Sequence, residues 1–228
     1  PSIGPPYQNS VLADTPLGFW PFDDQGLATV VARDISGNAN EGTIFGNPTK
    51  GVAGPPGTRF SMQFFINQYV TGPDGGIPTT APFTLEAWGK FEEVGTDQWV
   101  LGIFKNLFSM AVVVQSSTGK LFLVTDAGNS STSTVALQFG VFNHFAVTVD
   151  GSGNAVFYVN GTPAGTTTIT VPGSFGTTET GVVAMWQGFA SSATIANVAT
   201  YGTKLSAARI ADHYAKAALS FTVTVPST

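Results

Sequence analysis

The chain has 228 residues, with 10% of them charged and a formal net charge of −5. That length suits one domain with a single large core, and so few cations leave no basic patch for a nucleic-acid backbone. With no cysteine, neither a disulfide framework nor a thiolate metal site can hold the fold.

No apolar run reaches the roughly 18 residues of a membrane span, and the opening PSIGPPYQNS lacks the basic and apolar regions of a signal peptide. Neither membrane nor nucleic acid is an expected partner. Pro1 fits either a start methionine trimmed from a complete gene product or a boundary within a longer one. With 27 glycines and 14 prolines, the composition fits many short strands joined by tight turns.

Gly4-Pro5-Pro6 cannot enter a central strand, so residues 1–13 read as an extended N-terminal arm. Asp34-Ile35-Ser36-Gly37-Asn38-Ala39-Asn40 clusters carboxylate and amide oxygens that suit either a calcium loop or a turn in which Asx residues bind their own backbone. Arg59–Phe65 and Tyr69–Thr71 read as a strand pair, and Phe83–Phe91 as a strand whose odd positions face inward. Trp99–Phe104, Leu107–Gln115 and Lys120–Thr125 follow as strands, and Ala127–Ser133 as a polar loop.

The strongest local signal is NHFAVTVDGSGNAVFYVNGTPAG, residues 143–165. Phe145, Val147 and Val149 alternate with polar or small neighbours, as do Ala155, Phe157 and Val159, which is the period of a strand with one packed face. Asp150-Gly151-Ser152-Gly153 and Asn160-Gly161 supply the positive-φ residues of hairpin turns. Gly181–Trp186 and Thr194–Tyr201 read as closing strands. Leu205–Ala218 is a helix with Ser206 at its N-cap and Ala207, Ile210, Ala211, Tyr214 and Ala218 on one stripe. Residues 219–228 read as a C-terminal strand or tail.

Several of these stretches resemble one family. The run H-x-A-V-T-x-D-G-x-G ending in Y-V-N-G resembles the central hairpin of laminin-G-like domains, a branch of the concanavalin A-like lectin and glucanase domains. FTLEAWGKF, the D-x-S-G-N-x-N-x-G-T loop at Asp34–Thr43 and the closing helix resemble further parts of it. The resemblance implies an all-β, antiparallel two-sheet jelly-roll sandwich over residues 14–218, with one short C-terminal α-helix. The opening VLADTPLGFW is similar to laminin-G-like domains of bacteriophage virion proteins. It implies a non-catalytic structural protein, a capsid decoration or tail-associated jelly roll on the virion surface. Its partners would be other virion proteins or further copies of itself, and it would be able to touch host glycans. The alternative is a carbohydrate-binding module or adhesin at a bacterial surface or outside the cell.

No catalytic residues are expected. Retaining glucanases need two carboxylates about 5 Å apart on one strand, and neither Glu86 nor Glu92-Glu93 provides that spacing. His144 and His213 lie in a core hairpin and a helix, without a serine elbow. The family's acidic I-D-E-V segment is here Ile195-Ala196-Asn197-Val198, which argues against a metal at Asp34 and Asn40, and no cofactor is expected. Sugar binding needs an exposed aromatic platform with polar oxygens beside it. Trp99 and Trp186, next to turns, are the candidate platforms, with Asp126 and Asn129 as polar partners.

Overall fold

A computed structural model describes residues 5–23, 30–105, 107–126, 130–176, 181–184 and 192–218. The elements are α1 (Pro6–Ala13), β1 (Gly18–Trp20), β2 (Val31–Ala32), β3 (Gly42–Phe45), β4 (Thr49–Ala53), β5 (Phe60–Phe64) and β6 (Tyr69–Gly72). After a short 3-10 turn come β7 (Phe83–Phe91), β8 (Gln98–Lys105), β9 (Phe108–Val114), β10 (Lys120–Thr125) and β11 (Ser130–Ala136). The chain continues through β12 (Phe142–Val149), β13 (Asn154–Val159), β14 (Thr162–Thr168), β15 (Gly181–Ala184), β16 (Ala193–Tyr201) and α2 (Ala207–Ala217).

The strands form two antiparallel sheets. The first runs β14-β13-β12-β7-β16-β5-β4, with β1 added beside β16; the second runs β11-β10-β9-β8-β15-β6-β3-β2. The facing sides enclose an apolar core that includes Phe83, Leu85, Phe91, Phe145 and Phe157 from the first sheet and Ile103, Met110, Val112 and Leu123 from the second. This is the jelly-roll sandwich, and alternation along each strand sets which side chains enter it.

The central hairpin forms as its residues dictate. Phe145 pairs with Val159 and Val149 with Ala155, and the turn places Asn160 at φ 49° and Gly161 at φ 76°, the left-handed geometry of a tight hairpin. Asn160 also accepts the backbone N–H of His144 on its side-chain oxygen at 2.9 Å. Ser206 caps α2 by accepting from the Arg209 N–H at 3.3 Å.

Three local expectations are corrected. β5 and β6 do not pair: β5 joins β4 and β16, while β6 joins β3 and β15 in the other sheet. The turn between them crosses the sandwich, and turn residues alone do not separate that path from a hairpin. The polar stretch expected as a loop enters β11 at Ser130, and Thr132 pairs with Phe122. An edge strand needs only backbone partners and β-branched residues, so its polarity is no obstacle.

Residues 6–13 are not an extended arm but the helix α1. Proline is well suited to the first helical position, where no N–H is needed, and Tyr7 and Val11, one turn apart, are both fully buried. Together with α2, this helix covers the outer side of the first sheet. Tyr7, Val11 and Ile210 there join a second apolar cluster with Phe19, Trp88 and Tyr201. Both faces of β7 are therefore buried, not one. Residues 1–4 and the stretch read as a terminal strand, 219–228, lie outside the described residues.

The burial of α1 has a measurable consequence. Tyr7→Ala is expected to lower unfolding stability in urea by about 3–5 kcal/mol, the usual cost of emptying a large buried aromatic site. An arm that did not pack on its own domain would leave stability unchanged.

Candidate functional site

Two places gather chemistry, one inside the protein and one on its surface. The internal one centres on Glu86, on the helix-covered side of β7 and fully buried. Its carboxylate accepts from the Tyr201 hydroxyl at 3.0 Å, the Tyr7 hydroxyl at 3.3 Å and His213 Nδ1 at 3.0 Å. His213 Nε2 stands 2.9 Å from Asp14 Oδ2. With a carboxylate at each ring nitrogen, His213 donates from both and is held as an imidazolium.

The outer partner continues the chain of contacts. Asp14 accepts from Arg209 Nε at 2.9 Å, Arg209 reaches Asp212 at 3.1 Å, and Asp212 accepts the Ser10 hydroxyl at 2.6 Å. Arg209 sits where a capping box would place Glu or Gln, and here it ties α2 to α1 instead. Burial by itself would raise the Glu86 carboxyl. The His213 charge and the hydrogen bonds to the carboxylate outweigh it and hold the group far below the usual carboxylate range.

Burial pulls His213 down, but the Glu86 charge, with help from Asp14, raises it on balance. His144 contributes less, because its Nε2 is 3.7 Å from Glu86 and neither ring nitrogen makes a hydrogen bond. Acid, imidazole and phenols thus meet as they would in a catalytic centre. Yet Tyr7, Glu86, His144, Tyr201 and His213 are buried to 0% exposure, so the cluster clamps helices to sheet and meets no substrate.

The Asp34 loop is a turn. Oδ1 accepts from the N–H groups of Phe19 and Ser36 at 2.9 and 2.8 Å, and Oδ2 accepts from the Ser36 hydroxyl and Asn40 N–H at 2.7 and 2.8 Å. The Asn40 amide donates to the Leu17 carbonyl. Both Asp34 carboxylate oxygens are thus engaged by donors of the loop and of β1. Among the described residues no three His, Asp or Glu side chains gather as metal ligands.

The surface site lies on the outer side of the second sheet, where a cleft of about 210 Å³ is lined by Trp99, Phe104, Ser109, Ala111, Val124 and Asp126 among others. Cross-strand register puts its residues on one face. Gly102 pairs with Ala111 and Ala111 with Val124, while Trp99 pairs with Val113, a bulge between Trp99 and Leu101 having shifted the alternation by one residue. Gly102 is required here: a Cβ at that position would fall 2.2 Å from the Phe104 ring, which lies across the strand. Asp126 is fixed at the rim, its N–H donating to the Ser109 carbonyl and its Oδ2 accepting from the Ser109 N–H, both at 3.2 Å.

The fold therefore brings together two of the four candidate residues, Trp99 and Asp126, which are 27 positions apart in sequence. Trp186 and Asn129 lie outside the described residues. Phe104 and Ser109 were not singled out from the sequence. The parity of Ile103, Phe108 and Met110, which all enter the core, is the signal that turns them outward.

A two-sheet antiparallel sandwich, closed by helices on one side and carrying an aromatic cleft on the other, has the build of a lectin-like binding domain. The chain belongs to the concanavalin A-like lectin/glucanase superfamily, whose laminin G family model matches residues 66–211. No curated protein matches the sequence. Among solved structures, the binding domain of Paraclostridial mosquitocidal protein 1 superposes with a TM-score of 0.69 at 12% identity, covering 89% of this chain and 52% of that one. Domain 4 of AbnA, a GH43 extracellular arabinanase from Geobacillus stearothermophilus solved with arabinotriose, gives 0.66 at 19% identity, covering 88% and 98%. The botulinum neurotoxin type G receptor-binding domain gives 0.65 at 12%, covering 88% and 51%. The chain spans about half the length of the mosquitocidal-protein and neurotoxin structures, and likeness at these identities establishes the fold.

The internal clamp predicts how stability varies with pH. Glu86, depressed on folding, stabilises above its ordinary value of 4.5, and this is lost as pH falls below it. His213, raised on folding, stabilises below 6.5, and this is lost as pH climbs through its elevated folded value. Urea unfolding across pH 3–9 is expected to show a maximum between those limits, with Glu86→Ala costing about 3–5 kcal/mol at the maximum. A profile unchanged by Glu86→Ala would refute the clamp.

Proposed function

We propose that the chain is a non-catalytic glycan-binding domain whose ligand lies in the cleft on the outer side of the second sheet. The observation that carries this reading is the convergence of Trp99, Phe104 and Asp126 on the sheet face that neither described helix covers. A sugar ring has an apolar C–H face and a rim of hydroxyls. Trp99 and Phe104 offer flat apolar surface to the first, and Asp126 offers carboxylate oxygen to the second.

The comparisons support it through domain 4 of the arabinanase, which matches over nearly its whole length and was solved with arabinotriose. A carrier outside the cell or at its surface suits such a domain. On a virion the same cleft would serve the same purpose. The opening segment that resembles virion proteins is spent on packing α1 and β1 against the domain's own first sheet, which favours the cleft over the N-terminal arm as the working part.

A glycan array followed by calorimetry on the best ligand tests the site. Trp99→Ala is expected to weaken binding roughly 10–100-fold, the equivalent of about 1.5–3 kcal/mol of lost aromatic contact. Asp126→Asn, which keeps an oxygen acceptor but loses the charge, is expected to cost about 3–10-fold, the range of one ordinary hydrogen bond. Full affinity in Trp99→Ala would place the ligand elsewhere.

A further inference from the structure

We infer that the site is a groove for an extended, uncharged oligosaccharide, with a second subsite at the stacked Phe45–Tyr69 pair; this rests on the glycan-binding reading of the Trp99 cleft. Gly102, two register positions beyond Trp99 across the bulge, and Thr71, two residues beyond Tyr69, share Val182 of β15 as their backbone partner, and Thr71 pairs in turn with Thr43.

Directly opposed residues in an antiparallel sheet point to the same side, so Thr43 and Thr71 share the cleft's face. Tyr69 and Phe45, each two residues along its strand from that row, pair with one another and share it too. Both neighbours of β15 run antiparallel to it, so β6 and β8 run the same way. Tyr69 and Trp99 each precede their reference residue, and they therefore lie at the same end of the face.

Phe122 extends the line on the other side, since it pairs with Val113, the partner of Trp99. Phe45 and Tyr69 on one flank of β15, and Trp99 and Phe122 on the other, thus fall on one line at right angles to the strands, from β3 to β10. Five strand spacings make it about 24 Å long, with about 10 Å between β6 and β8. No single sugar ring spans that distance.

The outlying pair is built as a platform. The Phe45 and Tyr69 rings stack with centroids 4.7 Å apart and planes 13° from parallel, yet Phe45 remains 39% exposed. The corner beneath is locked by Gln68, whose amide donates to the Gly46 carbonyl at 3.1 Å and whose oxygen accepts the Phe65 N–H at 2.8 Å. Rings already held in place lose little freedom when a ligand stacks on them. Among the described residues lining the cleft, Asp126 is the one acidic side chain and none is basic, so an uncharged chain is favoured over a sialylated or sulfated one.

The test is calorimetry with arabino-, xylo- and cello-oligosaccharide ladders of one to six residues, on the wild-type chain, Phe45→Ala, Tyr69→Ala and Trp99→Ala. Wild-type affinity is expected to rise with length in at least one ladder. Phe45→Ala and Tyr69→Ala should abolish most of that rise, about tenfold at six residues, and leave the shortest binding ligand unaffected. Trp99→Ala should weaken every length. Phe45 is exposed, so its variant remains informative if Tyr69→Ala fails to fold. A length dependence untouched by Phe45→Ala, or affinity that does not grow with length, overturns the groove while leaving the Trp99 site standing. Wild-type binding to none of the ladders, with only anionic glycans bound on an array, overturns the uncharged ligand class. No binding to any glycan overturns the site itself.

Discussion

A carboxylate with no exposure to solvent must have its charge compensated where it stands, and Glu86 is that group in this fold. The group and its hydrogen-bonding partners come from four elements. β7 supplies Glu86 itself, α1 brings Tyr7, β16 brings Tyr201 and α2 brings His213. Removing any one leaves a buried donor or acceptor without its partner, so the helices and the first sheet are coupled. Asp14 and Arg209 extend that coupling to the solvent edge, where Arg209 has 36% of its side chain exposed. The outer side of the first sheet is closed as a result, and the asymmetry of the molecule follows. One sheet faces helices, while the other presents its outer side as a surface.

That surface is unusual in what it carries. In a chain with few charges, the open sheet face bears aromatic rings at positions where a solvated strand would ordinarily place polar groups. Their placement is enforced from beneath. Gly102 lets the Phe104 ring lie across β8, the bulge after Trp99 keeps that side chain on the outer face, and Gln68 fixes the corner under Phe45 and Tyr69. The rigidity belongs to the backbone, which is where a recognition surface for a flexible sugar chain benefits most from it.

Much of the fold was legible in the sequence because its signals are local. Asn160-Gly161 can hardly do other than turn, the alternation in Phe83–Phe91 orients β7, and Ser206 before an apolar stripe starts α2. What escaped is non-local. The choice between a hairpin and a crossing at residues 65–68 depends on which sheet each strand joins. Helix α1 depends on a pocket for Tyr7 assembled from residues 19, 88, 144 and 213. Glu86 and the two histidines read singly as structural residues, but nothing in their spacing announced that Glu86 and His213 are partners. For the surface site, Trp99 and Asp126 were visible as residue types. Their meeting was not, because it follows from the β8-β9-β10 register, and the same register is what adds Phe45, Tyr69 and Phe122.

The central claim is that ligands are met on the outer face of the second sheet. Nuclear magnetic resonance shift mapping of the labelled chain, titrated with the oligosaccharide that binds best, tests it most directly. The account predicts shifts confined to the amides of β3, β6, β15, β8, β9 and β10 and to the Trp99 indole, with the buried Trp20 and Trp88 indoles unmoved. Shifts centred instead on the Asp34 loop, the Asp150 turn or the helices, with the Trp99 indole unchanged, would contradict it.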